Sequence, residues 1–208
     1  EQGEGGIRRV WEAQQKYLPE YGVDLVDSAD RADVVAVHAD ELKTTKPVAF
    51  HCHGLYWRGF EWERWCHDAN SKIIRMIKRA SVTSTPSDWV RNALARGMLI
   101  DSTTLYHGIN ISDWEHGTNL GYILWSKNRV DPICTPEPLN KLAKLCPDRG
   151  FLTTFGNADL DNVTVTGRVN HEKSKAFLRN AAVYLATTME TGGITLLESY
   201  AAGVPVVG

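Results

Sequence analysis

Two carboxylates near the end of the chain, Glu190 and Glu198, are separated by seven residues, with Gly192-Gly193 between them. An ionised carboxylate accepts hydrogen bonds from two hydroxyls at once, the pattern a sugar presents. The glycine pair opens an apolar segment, Ile194 to Ala202, that reads as a helix. The first amides of a helix lack internal partners and favour an anion such as phosphate. Glu190 and Glu198 therefore suit sugar hydroxyls, while the backbone of Gly192, Gly193, Ile194 and Thr195 suits a phosphate. The competing reading is a plain tight turn between two solvated glutamates at helix ends. Ala201-Ala202-Gly203-Val204-Pro205, in register behind the pair, favours the first.

A second group of chemically able residues is His51, Cys52 and His53, with Cys66 and His67 further on. Their spacing fits no common zinc pattern, and Cys52 would face away from both histidines in a strand. No metal site is expected.

The elements that must position these residues alternate along the chain. Val23–Val26, Val34–Val37, Val48–Cys52, Ser81–Ser84 and Thr103–Tyr106 read as strands. Ile7–Leu18 has helical spacing, and a second helix begins after Ser87 as N-cap and ends at Gly97. Gly108 to Leu120 is polar and turn-rich, which places a boundary between domains 1–117 and 118–208. A second series follows, with strands at Tyr122–Trp125, Phe151–Phe155, Val163–Thr166, Val183–Ala186 and Val204–Val207. Its helices lie at Glu137–Leu145, His171–Asn180 and Ile194–Ala202. This alternation predicts an α/β fold of two Rossmann-like units with parallel sheets, whose ligands bind at the carboxyl ends of the strands.

Composition narrows the classes. The chain has 208 residues, a formal net charge of -2 and no apolar run of membrane-spanning length, so neither a nucleic-acid-binding surface nor a transmembrane segment is expected. Cys52, Cys66, Cys134 and Cys146 form no CxxC pair and read as reduced thiols of a cytoplasmic protein. Several of the tryptophans cluster between Trp57 and Trp65, where packing and sugar or partner contact are both open readings.

Taken in order, these segments resemble a retaining glycosyltransferase of the GT-B fold, in the group 1 or family 4 class that includes sucrose synthases and bacterial mannosyltransferases. Gly3-Glu4-Gly5-Gly6-Ile7 resembles the N-terminal glycine-rich loop. Pro47 to Gly54 resembles the strand that leads to the active-site histidine. Tyr106-His107-Gly108-Ile109-Asn110 resembles the turn closing the first domain, and Ile123 to Arg129 the opening strand of the second with its basic pair. Thr166-Gly167-Arg168-Val169 resembles the turn that meets the nucleobase, and Glu190 to Val207 the E-x7-E motif. Ser126-Lys127 stands where the family usually has a Gly-Arg pair, and the aromatic usual near Gly192 is absent. The family also has a strand before the glycine loop and further elements after the last strand, so the chain reads as a fragment or a reduced member, its second unit incomplete.

The resemblance implies a metal-independent hexosyl transfer, with retention, from a nucleotide-diphosphate-sugar to the hydroxyl of a glycan, lipid or small-molecule acceptor. The two units would face a cleft. The nucleotide-sugar is a substrate, and no cofactor is implied. Glu190 would contact donor-sugar hydroxyls and Glu198 the ribose. His53 would bind a sugar hydroxyl, with His51 the alternative by a two-residue slip. Lys127 and Arg129 would meet the charge that grows on the departing diphosphate. Gly5, Gly6 and Val169 complete the donor-binding set. The rival expectation is a truncated, non-catalytic nucleotide-binding or assembly module. Sugar, base, acceptor and oligomeric state are not specified by these residues.

Overall fold

The computed structural model describes residues 5–57, 61–188 and 190–208; Gly3 and Glu4 of the glycine-rich loop lie outside them. The chain divides into two compact units, Glu1–His107 and Gly108–Gly208.

The first unit has a parallel sheet of order β1-β2-β3-β4, from β1 (Val35–His38), β2 (Val48–His51), β3 (Val82–Thr85) and β4 (Thr103–Thr104). In β2 and just beyond it, alternate residues Val48, Phe50 and Cys52 are buried with Ile73, Met76 and Ile77 of α2 (Arg64–Arg79) and Leu94 of α3 (Asp88–Met98). That is the period-two pattern of a strand with one face on a core. The residue between, His51, points to the other face. Helix α1 (Gly6–Tyr17) starts at Gly5, has no fully buried residue and is joined to the sheet through Gln14.

Two expectations are corrected here. Val23–Val26 is irregular: Val23, Leu25 and Val26 are each 41% exposed, and no neighbouring strand pairs with them. Gly97 lies inside α3, and Leu99 takes the left-handed conformation after it, at φ 55°. Helix α2 has no counterpart in the sequence reading.

The second unit has a five-stranded parallel sheet of order β7-β6-β5-β8-β9. Its strands are β5 (Ile123–Trp125), β6 (Phe151–Thr153), β7 (Val163–Val165), β8 (Val183–Leu185) and β9 (Val206–Val207). Both faces are covered. Leu124 and Tyr184 join Leu178 of α5 (His171–Arg179), with Ala202 and Val204 after α6 (Ile194–Ala201). Trp125 and Leu185 join Leu139 and Ala143 of α4 (Glu137–Leu145) on the opposite face. Successive strand residues are thus buried on opposite sides, as a doubly covered parallel sheet requires. Strand order reverses between β5 and β8, and loops leaving such neighbours diverge to leave a crevice.

The two compact units meet in sequence at His107/Gly108. The residues that follow pack on the second unit: Trp114 is buried with Leu178 and Ala202, His116 Nδ1 bonds the Ala202 carbonyl oxygen at 2.8 Å, and the Gly117 amide donates to the Arg179 carbonyl oxygen at 3.0 Å. A methyl group on Gly117 would lie 2.8 Å from the Arg179 carbonyl oxygen, too close for backbone. Gly117→Ala is therefore expected to cost about 1–3 kcal/mol of stability in urea unfolding. An unchanged midpoint would show that this strap is not fixed to the unit.

Candidate functional site

Lys127 follows β5 and Glu190 follows β8, so the sheet order brings to the reversal point two residues far apart in sequence. Lys127 is fixed first through its backbone. Its amide donates to Thr154 Oγ1 at 2.9 Å, and the Thr154 hydroxyl donates back to its carbonyl oxygen at 2.7 Å. Its ammonium donates to Thr188 Oγ1 at 2.8 Å and forms an ion pair with Glu190 Oε1. Thr188 Oγ1 donates to the same carboxylate oxygen at 2.7 Å. A second tie, from Trp125 Nε1 to Thr187 Oγ1 at 2.9 Å, holds the two strand ends together just below.

The Lys127 side chain is 9% exposed and that of Glu190 32%. Burial by itself lowers the lysine pKa, but Tyr184 and Glu190 together outweigh it, so the net shift is upward and the ammonium is retained. The arrangement is a desolvated cation whose carboxylate partner is partly open to solvent.

Glu198 lies inside α6 and is only 5% exposed, which overturns the reading of a solvated helix-end glutamate at this position. The helix starts at Gly193, in the left-handed conformation at φ 59° and ψ 32°. The first helix bonds run from the amides of Leu196 and Leu197 to the Gly193 carbonyl oxygen, so the amides of Gly193, Ile194 and Thr195 sit in the opening turn. Gly192 precedes them. The helix start thus directs partial positive charge outward from the end of the sheet that carries Lys127 and Glu190.

Arg129 forms an ion pair with Asp131. Its Nε is 2.6 Å from Asp131 Oδ2, and Asp131 Oδ1 accepts the amides of Ile133 and Cys134 at 3.0 and 2.9 Å. Val169 is half-buried after β7, one residue before the N-cap of α5. Its neighbour Arg168, not singled out as a site residue in the sequence, donates twice to the Asn128 carbonyl oxygen, at 3.2 and 2.6 Å. The loops after β5 and β7 are thereby joined; the sequence signal was the position of Arg168 inside the nucleobase-turn motif.

His53 belongs to the first unit, where it joins a cluster that the sequence did not reveal. His38 on β1, His51 on β2 and Ser84 on β3 are in register across the sheet. Parallel strands lie about 4.8 Å apart, and the His38 and His51 rings stack at 4.5 Å. His51 Nδ1 is 2.7 Å from Ser84 Oγ. His53 lies two residues further on, with Nε2 3.0 Å from His38 Nδ1, and stacks on His107 at 6.0 Å.

His38 Nε2 is 2.8 Å from Gln14 Oε1, an acceptor, so this nitrogen carries the proton and Nδ1 accepts from His53 Nε2–H. The lone pair of His53 is then on Nδ1. Burial, followed by the neighbouring histidines, lowers His38 to about 4 and His53 to about 3; His51 and His107 are also lowered, chiefly by burial. The cluster is neutral at pH 7. Gly5 and Gly6 open α1, whose Arg9 adds to the lowering of His107. All four cysteines are free thiols, and among the described residues no group of three or more His, Cys, Asp or Glu is placed to hold a metal ion. No helix among them is long and apolar enough to cross a membrane.

Residues 156–208, which include α5, α6, Glu190 and Glu198, match the family Glycosyl transferases group 1. No curated protein matches the chain by sequence. Among solved structures, sucrose-phosphate synthase from Thermosynechococcus elongatus is similar with a TM-score of 0.64 and 15% identity, over 96% of this chain and 59% of that one. TarM is similar with a TM-score of 0.62 and 12% identity, over 83% of this chain and 40% of that one. The α,α-trehalose 6-phosphate synthase from Burkholderia multivorans has a TM-score of 0.51 and 12% identity, over 78% and 51%. These likenesses establish the α/β GT-B class of fold, and the chain spans 40% and 59% of the lengths of TarM and sucrose-phosphate synthase. The resemblance drawn from the sequence is met both by the family match and by the fold.

The histidine cluster sets a pH dependence. In an unfolded chain histidine takes a proton below about pH 6.5, whereas folded His38 and His53 stay neutral down to about 4 and about 3. The unfolded state then binds more protons. Stability from this source is complete above about pH 6.5 and is lost as pH falls from there toward the folded values. The melting temperature is expected to fall across that window, and His38→Gln to flatten the fall. An equally steep acid limb in the variant would remove the cluster as its cause.

Proposed function

We propose that this chain, with its group 1 glycosyltransferase segment, moves a hexose from a nucleotide-diphosphate-sugar to an acceptor hydroxyl, with retention at the anomeric carbon and without a metal ion. The observation that carries the reading is the junction of Lys127 and Glu190 at the strand reversal, beside the helix that begins at Gly193 and buries Glu198. A buried ammonium and a helix start are the groups that a departing diphosphate needs when no divalent cation supplies the charge. In the proposed reaction the bond from the anomeric carbon to the diphosphate oxygen breaks. The acceptor oxygen bonds to that carbon, and its proton passes to the departing oxygen. Lys127, with the amides of Gly193, Ile194 and Thr195, holds the charge that develops there.

Glu190 then binds donor-sugar hydroxyls and Glu198 the ribose. Gly192 lets the backbone approach the diphosphate, and Val169 lies against the base. Arg129, held by Asp131, and the Gly5-Gly6 helix start are assigned to the outer reach of the diphosphate. His53 is assigned to a sugar hydroxyl through its ring and backbone; no side chain is given the role of nucleophile. A solved TarM variant is described in complex with UDP, a nucleoside diphosphate of the class proposed here. The acceptor is a glycan, lipid or small molecule, and a reducing compartment such as the cytoplasm suits four free thiols.

The test is a thermal-shift panel with UDP, GDP and ADP, together with nucleotide release from their sugar conjugates. One nucleotide is expected to raise the melting temperature, by mass action on the folded state. Silence across both assays rejects the enzyme reading in favour of a non-catalytic module. Glu198→Gln is expected to weaken the responding nucleotide by about 1.5–3 kcal/mol, the worth of a hydrogen bond to a charged group. Unchanged affinity would reject the ribose assignment.

A further inference from the structure

Thr188 has no role in the function proposed above, yet it touches both of the charged residues on which that function rests. It lies in the loop after β8, half-buried. The Lys127 ammonium donates to its Oγ1 at 2.8 Å, and Oγ1 is 2.7 Å from Glu190 Oε1. The chemistry of the groups fixes the direction of both bonds. An ammonium has no lone pair to offer and an ionised carboxylate has no proton, so the hydroxyl accepts from the first and donates to the second. The ammonium also meets the same carboxylate oxygen directly. Lys127, Thr188 and Glu190 therefore form a closed ring of hydrogen bonds, each residue joined to both of the others.

The ring constrains each charged group. Glu190 Oε1 receives the ammonium and the hydroxyl, which fill the acceptor sites of one carboxylate oxygen, so a ligand hydroxyl is directed to Oε2. An ammonium carries its N–H groups around a single C–N axis. Bonds to Thr188 and Glu190 place two of them and thereby settle the direction of the last. The supports on either side do not depend on the ring. Reciprocal bonds with Thr154 hold the Lys127 backbone, and Trp125 Nε1 donates to Thr187 Oγ1 at 2.9 Å just before Thr188. Thr188→Val keeps the shape of the side chain and removes both of its bonds. Ammonium and carboxylate then share one contact, about which either can turn.

We propose that Thr188 is a positioning residue: its hydroxyl closes the ring that aims one N–H of Lys127 at the donor diphosphate and presents Glu190 Oε2, and not Oε1, to the donor sugar. Glu190 thereby engages a sugar hydroxyl without leaving Lys127, and one small side chain sets the geometry at both the sugar and the phosphate. The role toward ligand rests on the function proposed above; the ring itself does not.

Two measurements test the ring and its role separately. In the protein alone, the Thr188 hydroxyl proton is expected as a slowly exchanging NMR signal with cross-peaks to the Lys127 Cε and Glu190 Cγ protons, lost in Thr188→Val. Calorimetric titrations then compare whichever of UDP, GDP and ADP responds with its nucleoside and with the sugar conjugate from which it is released. Thr188→Val is expected to leave the nucleoside unchanged and to weaken the diphosphate about threefold to tenfold, the fold-change of one neutral hydrogen bond. The sugar conjugate is expected to weaken further, and Thr188→Ser, which keeps the hydroxyl, to match the parent protein. Equal weakening of all these ligands would make Thr188 a general support of its loop and overturns the proposal. Unchanged affinities in Thr188→Val, a serine variant as weak as the valine one, or a hydroxyl proton without these cross-peaks overturns it too. If no nucleotide binds the parent protein while the cross-peaks are present, the ring stands; the glycosyltransferase reading fails, and the role toward ligand falls with it.

Discussion

The ion pair between Lys127 and Glu190 closes the gap between two strands that are neighbours in the sheet and far apart in the chain. A parallel sheet directs all its carboxyl ends to one edge, and reversal of strand order leaves the loops after β5 and β8 with no strand between them. Polar residues leaving those two ends are placed where they can meet each other or a ligand. Thr154 fixes the lysine from the β6 side and Thr188 from the β8 side, so the cation is located before anything binds. Removing one member of a partly buried pair costs far more than the pair contributes net. The pair therefore makes its surroundings polar and specific more than it makes the unit stable.

The first unit solves a different problem at its own strand ends. Three strands in register place His38, His51 and Ser84 in one row, and His53 extends it beyond β2. Four imidazoles this close cannot all be charged, and their burial and mutual repulsion keep them neutral. The bond to Gln14 then sets the tautomer of His38 and, through it, that of His53. A ring with its proton on Nε2 and its lone pair on Nδ1 can accept from a hydroxyl, a role compatible with binding and orientation rather than with taking a proton through Nε2.

Legibility in the sequence followed periodicity. Helix α4 spans the residues its apolar spacing indicated, Glu137–Leu145, because Leu139 and Ala143 repeat at one turn and face a core. Helix α2 escaped because its buried residues, Cys66, Ile73, Met76 and Ile77, leave a gap of two turns between the first and the rest. Val23–Val26 had the composition of a strand and no neighbour to pair with, and strand propensity without a partner does not make a sheet. Leu99 in place of Gly97 as the left-handed residue after α3 shows the same limit: where a helix ends depends on what packs beyond it.

The sequence by itself determined the alternation of strands and helices, the glycine at the start of α6, and the spacing that puts Glu190 and Glu198 on either side of that start. These are local facts, written in periods of two and 3.6 and in the conformations glycine permits. Only the tertiary structure decided that Glu190 lies against Lys127, that Glu198 is buried, that Arg129 turns to Asp131, that Arg168 ties two loops, and that four histidines form one neutral cluster. Each depends on which strands become neighbours and in what register. That choice is made by burying whole sheet faces at once, so no single residue or spacing along the chain records it.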